Sequence, residues 1–124
     1  MIRPVSLTIL VVFLCFLNNE AVGFSQPPVE DHIFGVEMTK QGPVFQVYTG
    51  GCTEKEDFKV EVLRVKNPVL LRLLRLKPDY CKAYHPYGIK IKFSFEELGL
   101  APFTYFKVVN PRRIVQVVKP PDSN

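Results

Sequence analysis

The sequence predicts an all-β fold: a small antiparallel β-sandwich or barrel of about seven strands, with one short helical turn and one disulfide. Three observations carry this expectation. Apolar and polar residues alternate in short runs; Gly, Pro and Asn separate those runs; and no segment holds a helical period long enough for a packed helix. The expected disulfide rests on the cysteine pattern, which depends on how the chain begins.

Arg3 precedes an apolar run from Val5 to Leu17, followed by Asn18-Asn19-Glu20 and the small residues Ala21-Val22-Gly23. A charged start, a short apolar middle and an Ala-x-Gly site are the layout of a secretory signal peptide over residues 1–23. The run spans 13 positions, whereas a membrane-spanning helix needs about 20 apolar residues. Cleavage after Gly23 removes Cys15 and leaves Cys52 and Cys81 as the only cysteines of an exported chain. Phe13-Leu14 before Cys15 argue against a lipoprotein site. An oxidising compartment then predicts a Cys52–Cys81 disulfide, and the localisation expected is secreted, extracellular or periplasmic.

The elements follow in order. Residues 24–31 carry the consecutive prolines Pro27-Pro28 and read as an extended N-terminal arm. A single β-domain is expected over 32–119 and a flexible tail over 120–124. Within the domain, residues 32–38 and 44–49 form a hairpin across the turn Lys40-Gln41-Gly42-Pro43. Gly50-Gly51 before Cys52 allow a sharp bend beside the bridge. Phe58, Val60 and Val62 mark one buried face of a third strand, which Asn67-Pro68 ends.

Residues 69–76 (VLLRLLRL) are ambiguous, because Arg72 and Arg75 stand three apart as on a helix; Pro68 and Pro78 leave too little length, so a strand is expected. From Gly88 to Phe95 four large apolar residues share one face. Ser94 caps a single turn through Glu96-Glu97, stopped by Gly99. Residues 103–109 and 113–119, joined through Asn110-Pro111, complete the strands. There is no tryptophan, which removes one hallmark of an immunoglobulin domain.

The net charge is +4, unevenly spread. Residues 24–58 hold two basic and six acidic residues, whereas residues 59–92 hold nine basic residues against Glu61 and Asp79. This asymmetry predicts either oppositely charged strands pairing across a sheet or a basic surface that attracts polyanions.

Local catalytic signatures are missing from the sequence. His32 and His85 have no nucleophile in a recognisable setting, Glu96 and Glu97 are adjacent and point apart, and no phosphate loop, dinucleotide fingerprint or metal motif occurs. No enzyme activity, cofactor or metal is expected. Along Lys90 to Phe95 the aromatics alternate to the face opposite the lysines, which argues against nucleic acid.

The richest stretch is residues 79–88 (DYCKAYHPYG), with three tyrosines, a histidine and a lysine around Cys81. Tyrosine combines a large rigid surface with a polar tip, as recognition sites favour. The candidate binding residues are Tyr80, Lys82, Tyr84, His85 and Tyr87 of this loop, with Arg72, Arg75 and Lys90 of the basic strands. Together they predict a secreted or periplasmic, non-enzymatic binding module engaging a protein partner, with inhibition of an extracellular enzyme as one form of that role. A polyanionic polysaccharide or lipid head group is the secondary partner class. Two other readings are a structural or assembly component of an envelope or matrix and a carrier of a small apolar ligand inside a Phe-lined barrel.

Overall fold

A computed structural model describes residues 26–114. The expected signal segment, most of the strand expected over 113–119 and the tail 120–124 lie outside the described residues. The strands are β1 (Val29–Glu30), β2 (Ile33–Met38), β3 (Pro43–Val47), β4 (Phe58–Arg64), β5 (Val69–Arg75), β6 (Ile89–Lys92) and β7 (Phe106–Val108), with a 3-10 turn at Lys55–Asp57. They form two sheets, β2-β3-β6 and a second one organised around β5.

Alternation dictates the packing. Phe45 and Val47 of β3, Ile33 of β2 and Ile91 of β6 point into the same core as Phe58 of β4 and Leu73 of β5. The two sheets therefore bury their apolar faces against each other, as in a sandwich. A second cluster joins Val69 and Leu71 of β5 to Phe95 and Phe106, with the rings of Phe95 and Phe106 edge-on at 6.2 Å. Phenylalanines 45, 58, 95 and 106 fill this core, whereas Phe103 is exposed on the surface. The segment VLLRLLR is a strand, paired along its length with β4 from Phe58↔Arg75 to Arg64↔Leu70.

The other edge of β5 is shared. β1 pairs antiparallel at one end, Val29↔Arg75 and Glu30↔Leu74; β7 pairs at the other, Val69↔Phe106 to Leu71↔Val108. The β7 pairing is parallel, the one departure from the expected antiparallel pattern among the named strand pairs. Leu73 falls in the gap between these two partners. There the buried side chain of Asn110 acts as a peptide group. Its Oδ1 accepts from the Leu73 N–H at 2.7 Å, and its Nδ2 donates to the carbonyls of Leu73 and Asp31, both at 2.8 Å. The ladder thus continues across a break that backbone alone would leave open.

The chain then crosses to the other sheet. Ile33 N–H donates to Pro111 O at 3.1 Å and Arg113 N–H to Ile33 O at 2.8 Å, so residues 111–113 lie beside β2. Arg112 makes an isolated parallel bridge with Ile33.

Two local readings change at their ends. The arm over 24–31 closes in β1, and Asp31 is buried. Residues 103–109 are strand only at Phe106–Val108, because Phe103 takes a positive φ of 58° and Thr104 Oγ1 turns back to Ala101 O. The turn after β6 is as the residues require: Ser94 Oγ accepts from Glu97 N–H at 3.1 Å, Glu97 Oε2 accepts from Ser94 N–H at 2.6 Å, and Gly99 has φ 67°.

Candidate functional site

The loop over 79–88 is anchored first by Asp79. Its Oδ2 accepts from Gly50 N–H at 2.8 Å, Cys52 N–H at 3.1 Å, Thr53 Oγ1 at 2.6 Å and Thr49 Oγ1 at 3.2 Å, and its Oδ1 from Cys81 N–H at 2.9 Å. The second anchor is covalent, the Cys52–Cys81 disulfide, with Cα atoms 5.8 Å apart. A third is Ala83 N–H to Gly50 O at 2.8 Å. Gly50 permits this approach, since a Cβ there would overlap the Cys81 carbonyl oxygen. Cys52, Asp79 and Cys81 bring their donor atoms together, but both sulfurs are used by the bridge.

The far end is held as firmly. Gly88 has φ 67°, its N–H donates to His85 O at 3.0 Å, and Gln46 Nε2 donates to Tyr87 O at 2.6 Å. A side chain at Gly88 would overlap the Val47 carbonyl oxygen. Between these ends the loop offers its aromatics outward: Tyr80, Tyr84 and Tyr87 are 78%, 88% and 61% exposed.

The hydrogen bond from Thr53, with those from the Cys81, Gly50 and Cys52 amides, pulls the Asp79 carboxyl far below the usual carboxylate range against the opposing effect of burial. A depressed folded-state value stabilises the fold above the ordinary carboxylate value of about 4, and that stabilisation fades as pH falls below it. The Glu97 carboxyl is also lowered, by the Lys55 ammonium and then the Ser94 amide, but this ion pair is exposed and contributes little. Thermal melts are therefore expected to be flat from about pH 7 to 5 and to fall below about pH 4. Asp79→Asn should lower the melting temperature at neutral pH and flatten the acid limb; an unchanged limb would refute the assignment.

The candidate residues do not form one surface. Tyr84 and His85 line an open groove of about 310 Å³, together with Phe34, Tyr48, Ala83, Pro86, Arg113 and Ile114. Tyr80, Lys82 and Tyr87 are exposed on the same loop but do not line the groove. Lys90 is near the loop's far end, opposite Gln46 in register, and its ammonium is 3.5 Å from Glu37. Arg72 faces Glu61 on the neighbouring strand at 3.2 Å.

Arg75 points inward. Its guanidinium is 3.4 Å from Asp31, donates to Tyr48 O at 2.8 Å and to Thr53 Oγ1 at 3.3 Å, and lies over the Phe58 ring at 4.5 Å. With its side chain 13% exposed, it ties β1, β3 and β5 together and offers little to a partner. An odd spacing on a strand sends Arg72 and Arg75 to opposite faces.

Phe34, Tyr48, Arg113 and Ile114 are the groove residues outside the loop that sequence reasoning missed. The Arg113 guanidinium is 4.9 Å from the Tyr48 ring centroid and 5.8 Å from that of Phe34. Phe34 sits in a register shift between Ile33 and Gly35. A glycine inside a strand is the available signal for such a bulge. Nothing local in the sequence announces the approach of Arg113.

The fold and site define a disulfide-pinned β-sandwich carrying a tethered Tyr-rich loop. Comparison of the chain with family models, with curated proteins and with solved structures finds no significant match.

Proposed function

We propose that this chain is a secreted or periplasmic, non-enzymatic module that binds a protein partner through the loop over 79–88, inhibition of an extracellular enzyme being one form of that role. The carrying observation is three largely exposed tyrosines on a loop held at both ends by Asp79, the bridge and Gly88. Exposed aromatics supply contact area, and a loop already ordered loses less entropy on binding. The disulfide favours an oxidising compartment, in keeping with the signal-like start of the sequence.

The test is affinity capture from the protein's native extracellular medium, followed by titration of the recovered partner. Tyr84→Ala/His85→Ala should weaken binding about tenfold or more while leaving the melting temperature unchanged, since both side chains are exposed. Equal affinity of variant and parent for every captured protein would overturn the proposal.

A second reading, assembly by strand addition, draws on β4, which among the described residues pairs only with β5 and ends that sheet. Lys59, Arg64 and the register shift between Val62 and Arg64 oppose it. Sedimentation distinguishes the two: concentration-dependent oligomers favour assembly, and a strict monomer excludes self-assembly through β4.

A further inference from the structure

We infer that the groove beside the loop is a carboxylate-recognition site, taking a Glu or Asp side chain from an acidic, aromatic-bearing segment of the partner protein; this rests on the binding role just proposed. Arg113 carries the inference. Its guanidinium lies near the Tyr48 and Phe34 rings, an arrangement that stabilises the cation; Arg113 is exposed, and a planar guanidinium suits a two-point contact with a carboxylate. Among the described residues the ion pairs are Lys55–Glu97, Arg72–Glu61, Arg75–Asp31 and Lys90–Glu37. Arg113 belongs to none of them, and among the described residues no acidic side chain lines the groove.

The remaining walls fit the same ligand. Tyr84 and His85 add polar groups to the same groove, while Phe34, Tyr48 and Pro86 supply apolar surface. A volume of about 310 Å³ is at the small end for ligand sites, enough for one or two side chains.

The charge pattern also separates this ligand from a polyanion. A polysaccharide or an anionic membrane calls for a row of unpaired cations. Arg72, Arg75 and Lys90 each face a carboxylate, and Lys77 and Lys82, which belong to no ion pair among the described residues, do not line the groove. What remains in the groove is one guanidinium between aromatic walls, suited to a single carboxylate flanked by apolar groups. The net charge of +4 would speed the approach of an acidic partner.

The experiment is an NMR titration of the oxidised, exported protein with two blocked peptides, Ac-Glu-Phe-Glu-amide and Ac-Gln-Phe-Gln-amide. The Glu peptide should shift the amides of Phe34, Tyr48, Tyr84, His85 and Arg113 and bind about tenfold more tightly than the Gln peptide. Added salt should weaken it, and Arg113→Gln should remove the preference. The comparison of peptides on the parent protein stands even if that variant folds poorly. Equal binding of the two peptides overturns the inference, as do shifts confined to surfaces away from the groove. Binding of phosphatidylserine vesicles or inorganic phosphate with no response to the Glu peptide overturns it as well. Tighter peptide binding on Asp122→Asn would assign the groove to the chain's own tail and likewise overturns it. If Tyr84→Ala/His85→Ala loses the natural partner while the two peptides bind equally, the binding role survives and the carboxylate assignment alone falls.

Discussion

Asn110→Ala is expected to destabilise the fold by about 3 kcal/mol, the cost of leaving buried peptide groups without partners. The side chain serves three such groups: the Leu73 N–H, the Leu73 carbonyl and the Asp31 carbonyl. Leu73 is fully buried. Asp31 N–H still reaches the Leu73 carbonyl at 3.2 Å, so the Leu73 N–H bears the largest loss. Asn110→Asp tests the same account differently, since it keeps an acceptor for that N–H but removes both donated bonds and brings a charge into a buried site. Urea unfolding of parent and variants reads the effect. Lys66→Ala is the control, an exposed residue expected to shift stability by less than about 0.5 kcal/mol. If Asn110→Ala also stayed within that margin, the bridging role would be wrong.

Removing the disulfide with Cys52→Ser/Cys81→Ser is expected to cost about 3.5 kcal/mol in the chain-entropy treatment, from a sequence separation of 29 residues. That is a large fraction of the stability of a domain this size. The effect should also be local. Asp79 accepts from the amides of both bridged cysteines, so the carboxylate and the bridge hold the same backbone. Their losses should be less than additive in a double-mutant cycle. Denaturation of the single-site and combined variants measures both quantities, and strict additivity would show that the two anchors act independently.

Much of the fold was legible because a strand shows its burial every second residue. Phe58, Val60 and Val62, and Ile89, Ile91, Phe93 and Phe95, are inward-facing by alternation alone and sit against the core. The segment between Pro68 and Pro78 is a strand despite its helix-like arginine spacing, since chain length outweighs a single i, i+3 pair. What escaped was set by distant partners. β1 is two residues long and follows two prolines, so it exists only because β5 has an open edge to pair with. Asn110 was legible as a turn residue beside Pro111, but its main role lies across the chain at Leu73.

The site divides in the same way. Tyr84 and His85 were visible from composition, because recognition chemistry was concentrated in one loop. Phe34, Tyr48 and Arg113 reach the groove through a strand bulge and a crossing between sheets, which no local pattern encodes. Arg75 misled because its charge suggested a surface role. Asp31, with the Phe58 ring beneath, makes an inward position favourable.

The proposed binding role requires the loop to be rigid while its tyrosines face outward. Backbone 15N relaxation of the disulfide-bonded protein, before and after reduction, tests this directly. Residues 80–87 should show order parameters of about 0.85 when oxidised, close to those of β3 and β5, and fall below about 0.6 once the bridge is opened. Values already below about 0.6 in the oxidised protein would contradict a loop held at both ends.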